Sequence, residues 1–176
     1  MATDELDVWT VGHSTRSLDQ FLALLEAHGI QAVADVRRYP ASRRWPHFAG
    51  TALSESLGSR DIDYLWLPEL GGRRTPVPGS HNTAWRSASF RGYADYMETD
   101  AFAEGLQALL ALIHGQRTAV MCAEALWWRC HRALVADVLR WLGLRVHHIQ
   151  SSTSTVPHPY SSAARIVEGC LSYTLP

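Results

Sequence analysis

Short apolar runs alternate with amphipathic stretches along this chain, and the alternation predicts its elements. Residues 8–12, 30–36, 62–67, 118–121 and 144–149 are stretches of strand length that read as strands, and 8–12 and 118–121, which carry no charged residue, read as buried ones. Between them the apolar residues recur at helical spacing. Leu18, Phe21, Leu22, Leu24 and Leu25 mark one helix, opened by Ser17 with Gln20 three residues on and closed at His28-Gly29. Short helices are predicted over 51–60 and 90–98. Asp100 is the expected N-cap of a longer helix over 101–114, with Phe102, Leu106, Leu109, Leu110 and Ile113 inward. A last strong helix runs from about 129 to 142 and stops at Gly143.

Strand–helix alternation of this kind predicts an α/β fold. The expected architecture is one three-layer, Rossmann-like domain over 1–176, with its core in 8–149. Its sheet is mostly parallel and five-stranded, in the order 3-2-1-4-5, with helices on both faces. The tail from 151 is Ser/Thr/Pro-rich, with a weak helix expected over 161–170. This order places the switch point between the first and fourth strands, where His13-Ser14 would face Cys122–Glu124. Asp35, Arg37 and the turn at 68–74 would lie on the same edge. The loop after the second strand holds two prolines and cannot be regular, and 75–89 reads as an irregular stretch able to serve as a flap.

Composition narrows the function classes. At 176 residues, 47% hydrophobic and 19% charged, the chain is an ordinary soluble globular domain. A net charge of −1 advertises no global field for nucleic acid. All 16 basic residues are arginine, which removes Schiff-base and P-loop lysine chemistry. Three cysteines and no secretory pattern predict a cytoplasmic protein without a disulfide framework. No apolar run approaches the roughly 18 residues of a membrane span.

The candidate chemistry concentrates in 119–136. Cys122, Glu124, Cys130, His131 and Arg132 fall within eleven residues at a strand-to-helix junction. Helix N-termini and nearby cations favour thiolates there. Cys122, Glu124, Cys130, His131 and His13 are the expected catalytic groups, with a thiol as nucleophile or redox centre and Glu124 and His13 as proton carriers. Arg37 and Arg132 are expected anion clamps. Ser14, Asp35, Ser42, Arg43, Arg73 and Trp127 complete the expected substrate site. Each has a plainer reading: the cysteines as packing, Asp35–Arg37 as a structural ion pair, and Glu124 as the carboxylate that holds Arg132 or Arg37. Zinc on the cysteines with His131 and Glu124 or His13 is a minor alternative, because the spacing matches no finger or ribbon. A reversible Cys122–Cys130 disulfide is another.

Two loops add a second signal. Arg37, Arg38, Arg43, Arg44, Arg73 and Arg74 share the expected sheet edge with Trp45, Phe48, Trp85, Trp127 and Trp128. Arginine for phosphate and aromatics for base stacking suit a nucleotide or single strand.

Gly12-His13-Ser14, Asp35-Val36-Arg37 with Pro40 and Ser42, Leu70-Gly71-Gly72, Met121–Glu124, Cys130-His131-Arg132 and His148-Ile149 together resemble the bacterial "domain of unknown function 488" family over 8–149. The resemblance implies an α/β fold and a shared site, with no reaction attached. Cys122 also sits where rhodanese-like and cysteine-phosphatase folds place their nucleophile, although here tryptophans replace the glycines of that loop and the arginines come later. Three functions follow as expectations. The first is an enzyme with a cysteine/glutamate/arginine site acting on a nucleotide, nucleic acid or other phosphorylated ligand. The second is a non-catalytic module that binds nucleic acid or a nucleotide, and the third is a metal-dependent hydrolase.

Overall fold

The computed structural model describes residues 5–176, so the first four residues of the expected domain lie outside it. Five strands are parallel neighbours: β1 (Asp7–Gly12), β2 (Ala32–Asp35), β3 (Asp63–Trp66), β4 (Thr118–Cys122) and β5 (Arg145–Ser151). A sixth, β6 (Ser154–Pro157), is antiparallel to β5. Their order is β3-β2-β4-β1-β5-β6.

That order corrects the expected 3-2-1-4-5. The helix α1 (Leu18–Ala27) carries the chain from β1 past one strand position before β2 forms. The chain then steps outward to β3 through α2 (Gly50–Gly58), and β4 returns into the gap. The switch point still lies between β1 and β4, because β1 departs towards β2 and β4 departs towards β5. Register aligns the carboxyl ends: Gly12 pairs with Cys122, Asp35 with Met121 and Trp66 with Asp35.

Right-handed crossovers running in opposite directions place helices on both faces. On one face Phe21, Leu25, Leu53 and Leu57, from α1 and α2, pack on Val11, Val33 and Met121. On the other, α3 (Ala88–Tyr96), α4 (Asp100–Gly115) and α5 (Arg132–Trp141) bring Tyr93, Phe102, Leu109 and Leu134 onto Val8, Ala34 and Val120. Alternate strand residues serve the two cores, as the pleat requires.

The helix ends follow the sequence to within one to three residues: 51–60 becomes Gly50–Gly58 and 90–98 becomes Ala88–Tyr96. Ser17 and Gln20 form the expected capping box, with reciprocal bonds of 3.1 and 2.9 Å. The longer helix is capped by Thr99, whose hydroxyl accepts from the Phe102 amide, and not by Asp100. The last helix begins at Arg132, because Trp127–Arg129 form a separate 3-10 turn. Cys130 and His131 therefore precede that helix instead of lying in its first turn.

The tail departs furthest. In place of a helix over 161–170 it forms a hairpin, β7 (Arg165–Val167) with β8 (Cys170–Ser172). Glu168 and Gly169, at φ 51 and 79°, supply the two left-handed residues that such a tight turn needs.

Candidate thiol and arginine site

The carboxyl edge of the sheet is built around the approach of the β4 loop to β1. The amides of His13 and Ser14 donate to the carbonyls of Cys122 and Ala123, each at 3.0 Å, continuing the ladder beyond the strands. Gly12 permits this, since a Cβ there would lie 1.7 Å from the Glu124 carbonyl oxygen. Two adjoining cavities, of about 520 and 380 Å³, open on this edge and share Arg37, Tyr39, Ala123 and Glu124.

Cys122 and Cys130 lie in the wall of the larger cavity with their sulfurs 3.1 Å apart. Strand β4 delivers the first and the turn before α5 delivers the second. The Arg132 amide donates to Cys130 Sγ at 3.3 Å. The hydrogen bond from Cys130 pulls the Cys122 thiol down to about 7 against its burial, with help from the Arg132 charge. The same bond pushes Cys130 well above the usual thiol range.

Arg132 is 2% exposed, and its Nη2 donates to the carbonyls of Glu124 and Ala125 at 3.2 and 3.1 Å. Among the described residues no carboxylate pairs with it, and its Nε has no partner. The expected anion clamp is thus a buried cation that ties the β4 loop and charges the floor beside the sulfurs. Glu124 holds Arg132 through its carbonyl, while its side chain is exposed in the cavity wall, bonded to neither Arg132 nor Arg37.

Arg37 and Asp35 form a buried bidentate pair, Nε–Oδ1 2.9 Å and Nη2–Oδ2 2.7 Å, with the Tyr64 hydroxyl also donating to Asp35. The Arg37 Nη1 reaches His13 Nε2 at 3.4 Å. His13 Nδ1 donates to the Ser14 carbonyl at 2.9 Å, so Nε2 is the acceptor and both ring nitrogens are engaged. Burial, with the neighbouring Arg37 charge, lowers His13 to about 4. His131 donates from Nε2 to the Val36 carbonyl at 2.7 Å and is likewise held neutral, lowered to about 4 by burial with Arg132 and Arg74 adding. Its Nδ1 faces Gly72, where a Cβ would come within 2.8 Å. His13, the expected proton carrier, and His131, expected among the catalytic groups, are both neutral at neutral pH.

The remaining expected residues separate. Ser14, at φ 51°, and Ser42 line the smaller cavity, where Ser42 Oγ accepts from the Trp45 amide at 3.1 Å. Arg73 lines the larger one. Arg43 is exposed and lines neither cavity. Trp127 turns away and stacks on His148, centroids 4.5 Å apart and planes 3° from parallel, so it belongs to the packing beneath the loop. Arg38, one of the arginines expected at this edge, lines the larger cavity, and the sequence reading missed Tyr39, Phe90, Tyr93 and Arg129 there. Arg38 and Tyr39 stood in the singled-out arginine-aromatic loop, whereas Tyr93, on a helix face, carried no signal. The expected flap is pinned: Asp95 accepts from the Val77 amide, Ser80 Oγ and Asn82 Nδ2 at 2.9, 2.6 and 2.7 Å.

A second polar system lies behind the loop. Thr10 bonds His148 Nδ1, His148 Nε2 meets His158 Nδ1 at 2.8 Å, and His158 Nε2 meets Asp137 Oδ1 at 2.7 Å. Asp137 also accepts from the Ser161 amide at 2.9 Å and the Tyr173 hydroxyl at 2.7 Å. All of these groups are buried. Among the described residues no three of His, Cys, Asp or Glu converge as metal donors, and no helix is long and apolar enough to cross a membrane.

A family model described as "Domain of unknown function DUF488" matches residues 17–139. No curated protein and no solved structure matches the chain.

Proposed function

This chain belongs to the DUF488 family, and we propose that it is a thiol-dependent enzyme acting on an anionic, phosphate- or base-bearing ligand. The observation that carries the reading is the pair of sulfurs 3.1 Å apart in the wall of an arginine-lined cavity. Cys122 is the nucleophile, since its proton is the easier of the two to lose. Arg38, Arg73 and Arg129 are the anion-binding groups, because their guanidiniums, unlike that of Arg37, have no carboxylate partner among the described residues. Glu124 is the proton carrier at the cavity wall. Tyr39, beneath the guanidiniums of Arg38 and Arg73 at 5.4 and 5.8 Å, offers an aromatic face to a base.

The test is alkylation of Cys122 against pH, localised by mass spectrometry, with and without a nucleoside triphosphate or a short oligonucleotide. The reading expects a labelling midpoint near 7 and slower labelling with ligand. Arg38→Ala or Arg129→Ala should relieve that protection. A midpoint at or above the ordinary thiol value of about 8.5, with no protection, overturns it.

The engagement of both His13 nitrogens favours one competing reading, a binding module of the same cleft. It predicts that Cys122→Ser leaves nucleotide affinity and cellular function intact while the arginine substitutions abolish both.

A further inference from the structure

The two sulfurs also define an activity that needs no phosphorylated ligand. We infer that Cys122 and Cys130 form a dithiol–disulfide couple that reduces small anionic disulfides admitted to the larger cavity.

The geometry has three parts. The sulfurs are already 3.1 Å apart, so closing the bond to the normal length of about 2.05 Å takes a side-chain movement of about 1 Å. Both cysteines line the cavity of about 520 Å³, where Arg38, Arg73 and Arg129 suit a disulfide that carries carboxylates. The buried Arg132 cation, its amide 3.3 Å from Cys130 Sγ, sits beside the pair and favours one negative charge shared between the sulfurs.

The reaction runs in two exchanges. The Cys122 thiolate attacks one sulfur of R–S–S–R, forming a Cys122–S–S–R bond and releasing RS⁻. The charge on Cys122 is then gone, and with it the main influence holding the Cys130 proton. Cys130 gives that proton to Glu124 or solvent and attacks Cys122 Sγ, expelling the second RS⁻, which takes up the proton. The protein dithiol loses two electrons and the small disulfide gains them as two thiols. Excess small thiol reverses both steps, so no further oxidant or reductant is required.

The closing bond ties off the loop 123–129, which carries the exposed Trp128 and the stacked Trp127. Tryptophan emission should therefore follow the redox state.

The full chain carrying Cys170→Ser, which removes the exposed hairpin thiol, is equilibrated across ratios of oxidised to reduced glutathione. It is then acid-quenched, alkylated and mapped. The expected result is a single two-electron transition in which Cys122 and Cys130 become unreactive together and appear linked in one peptide, with emission changing at the same ratio. Cys130→Ser should halt with one glutathione on Cys122. Cys122→Ser should slow the reaction of Cys130 by about tenfold or more. Two thiols that stay alkylatable at the most oxidising ratio overturn the inference, and that outcome is read on the cysteine pair without recourse to either site variant. Absence of the couple alongside a ligand-protected Cys122 midpoint near 7 would sink this inference alone. A clean couple with no nucleotide protection would sink the phosphorylated-ligand reading alone.

Discussion

At the scale of single residues, the sequence picked out side chains that the fold brings together better than it picked out their partners. Cys122, Cys130, Glu124, His131 and Arg37 all reached the larger cavity. What each does there depends on partners that no local pattern names. His13 is the clearest case: at the end of a central strand it read as a proton carrier, yet Ser14 and Arg37 engage both its nitrogens. Its lowered value has a consequence for stability. An unfolded histidine binds a proton near pH 6.5, whereas folded His13 binds one near 4. Between those values the unfolded chain holds more protons, so folding loses free energy as pH falls through that window and is unaffected above it. A shift of this size amounts to a loss of up to about 3 kcal/mol of stability, complete only below pH 4. His148, 2% exposed and pushed down to about 2 by burial and His158, acts in the same direction. Urea midpoints should be flat above pH 7 and fall below 6.5, with a shallower slope in His13→Asn. A midpoint that rises on acidification would contradict this. Arg132 gives a second residue-scale prediction. Arg132→Leu removes the cation beside both sulfurs, so the Cys122 alkylation midpoint should rise by on the order of one pKa unit. Stability should drop by about 1–3 kcal/mol as the carbonyls of Glu124 and Ala125 lose their donor. An unshifted midpoint would show that Arg132 only ties the loop.

At the scale of elements, the strands and main helices were legible because each carries its own period. Phe21, Leu22, Leu24 and Leu25 dictate the buried face of α1 wherever that helix sits. The sheet order was not legible. Strands β2 and β4 are wholly buried and β1 nearly so, and an apolar run does not record which neighbour buries it. The short tail strands were missed for the opposite reason: Ser154–Pro157 and Cys170–Ser172 are too short and too exposed to show a pattern. What brings the site together is one junction, where the β4 loop rests on Gly12. Gly12→Ala would force a methyl into the Glu124 carbonyl, which is backbone and cannot rotate away. The loop must lift, carrying Glu124 and the Arg132 contacts with it. We expect a loss of about 1–3 kcal/mol by chemical denaturation and slower disulfide closure between Cys122 and Cys130. Unchanged closure in a destabilised protein would show that the loop and the thiol pair move independently.

At the scale of the whole molecule, the tail set aside by the sequence reading turns out to complete the core. His158, Ser161 and Tyr173 all bond Asp137, which is 0% exposed on α5, and Tyr173 also packs in the second core. The Tyr173 carbonyl accepts from the Ala84 amide at 2.8 Å, so the tail also anchors the stretch before α3. Ser87 and Phe90 of that region line the larger cavity, which links the C-terminus to the site by one short path of contacts. The pairing of His158 with a carboxylate 21 positions earlier was not legible, because Asp137 looks like any polar position on a helix. A buried carboxylate stripped of donors costs more than the bond that satisfied it contributed. Tyr173→Phe should therefore cost about 1–2 kcal/mol, and His158→Ala about 3 kcal/mol or more, measured by urea unfolding. Truncation after residue 150 removes every tail donor at once and uncovers Asp137 and His148. The shortened chain should lose its cooperative transition, although it retains every strand that carries a site residue. Should it melt cooperatively and keep the Cys122 labelling midpoint, the tail would be an appendage and the 8–149 core a domain in its own right.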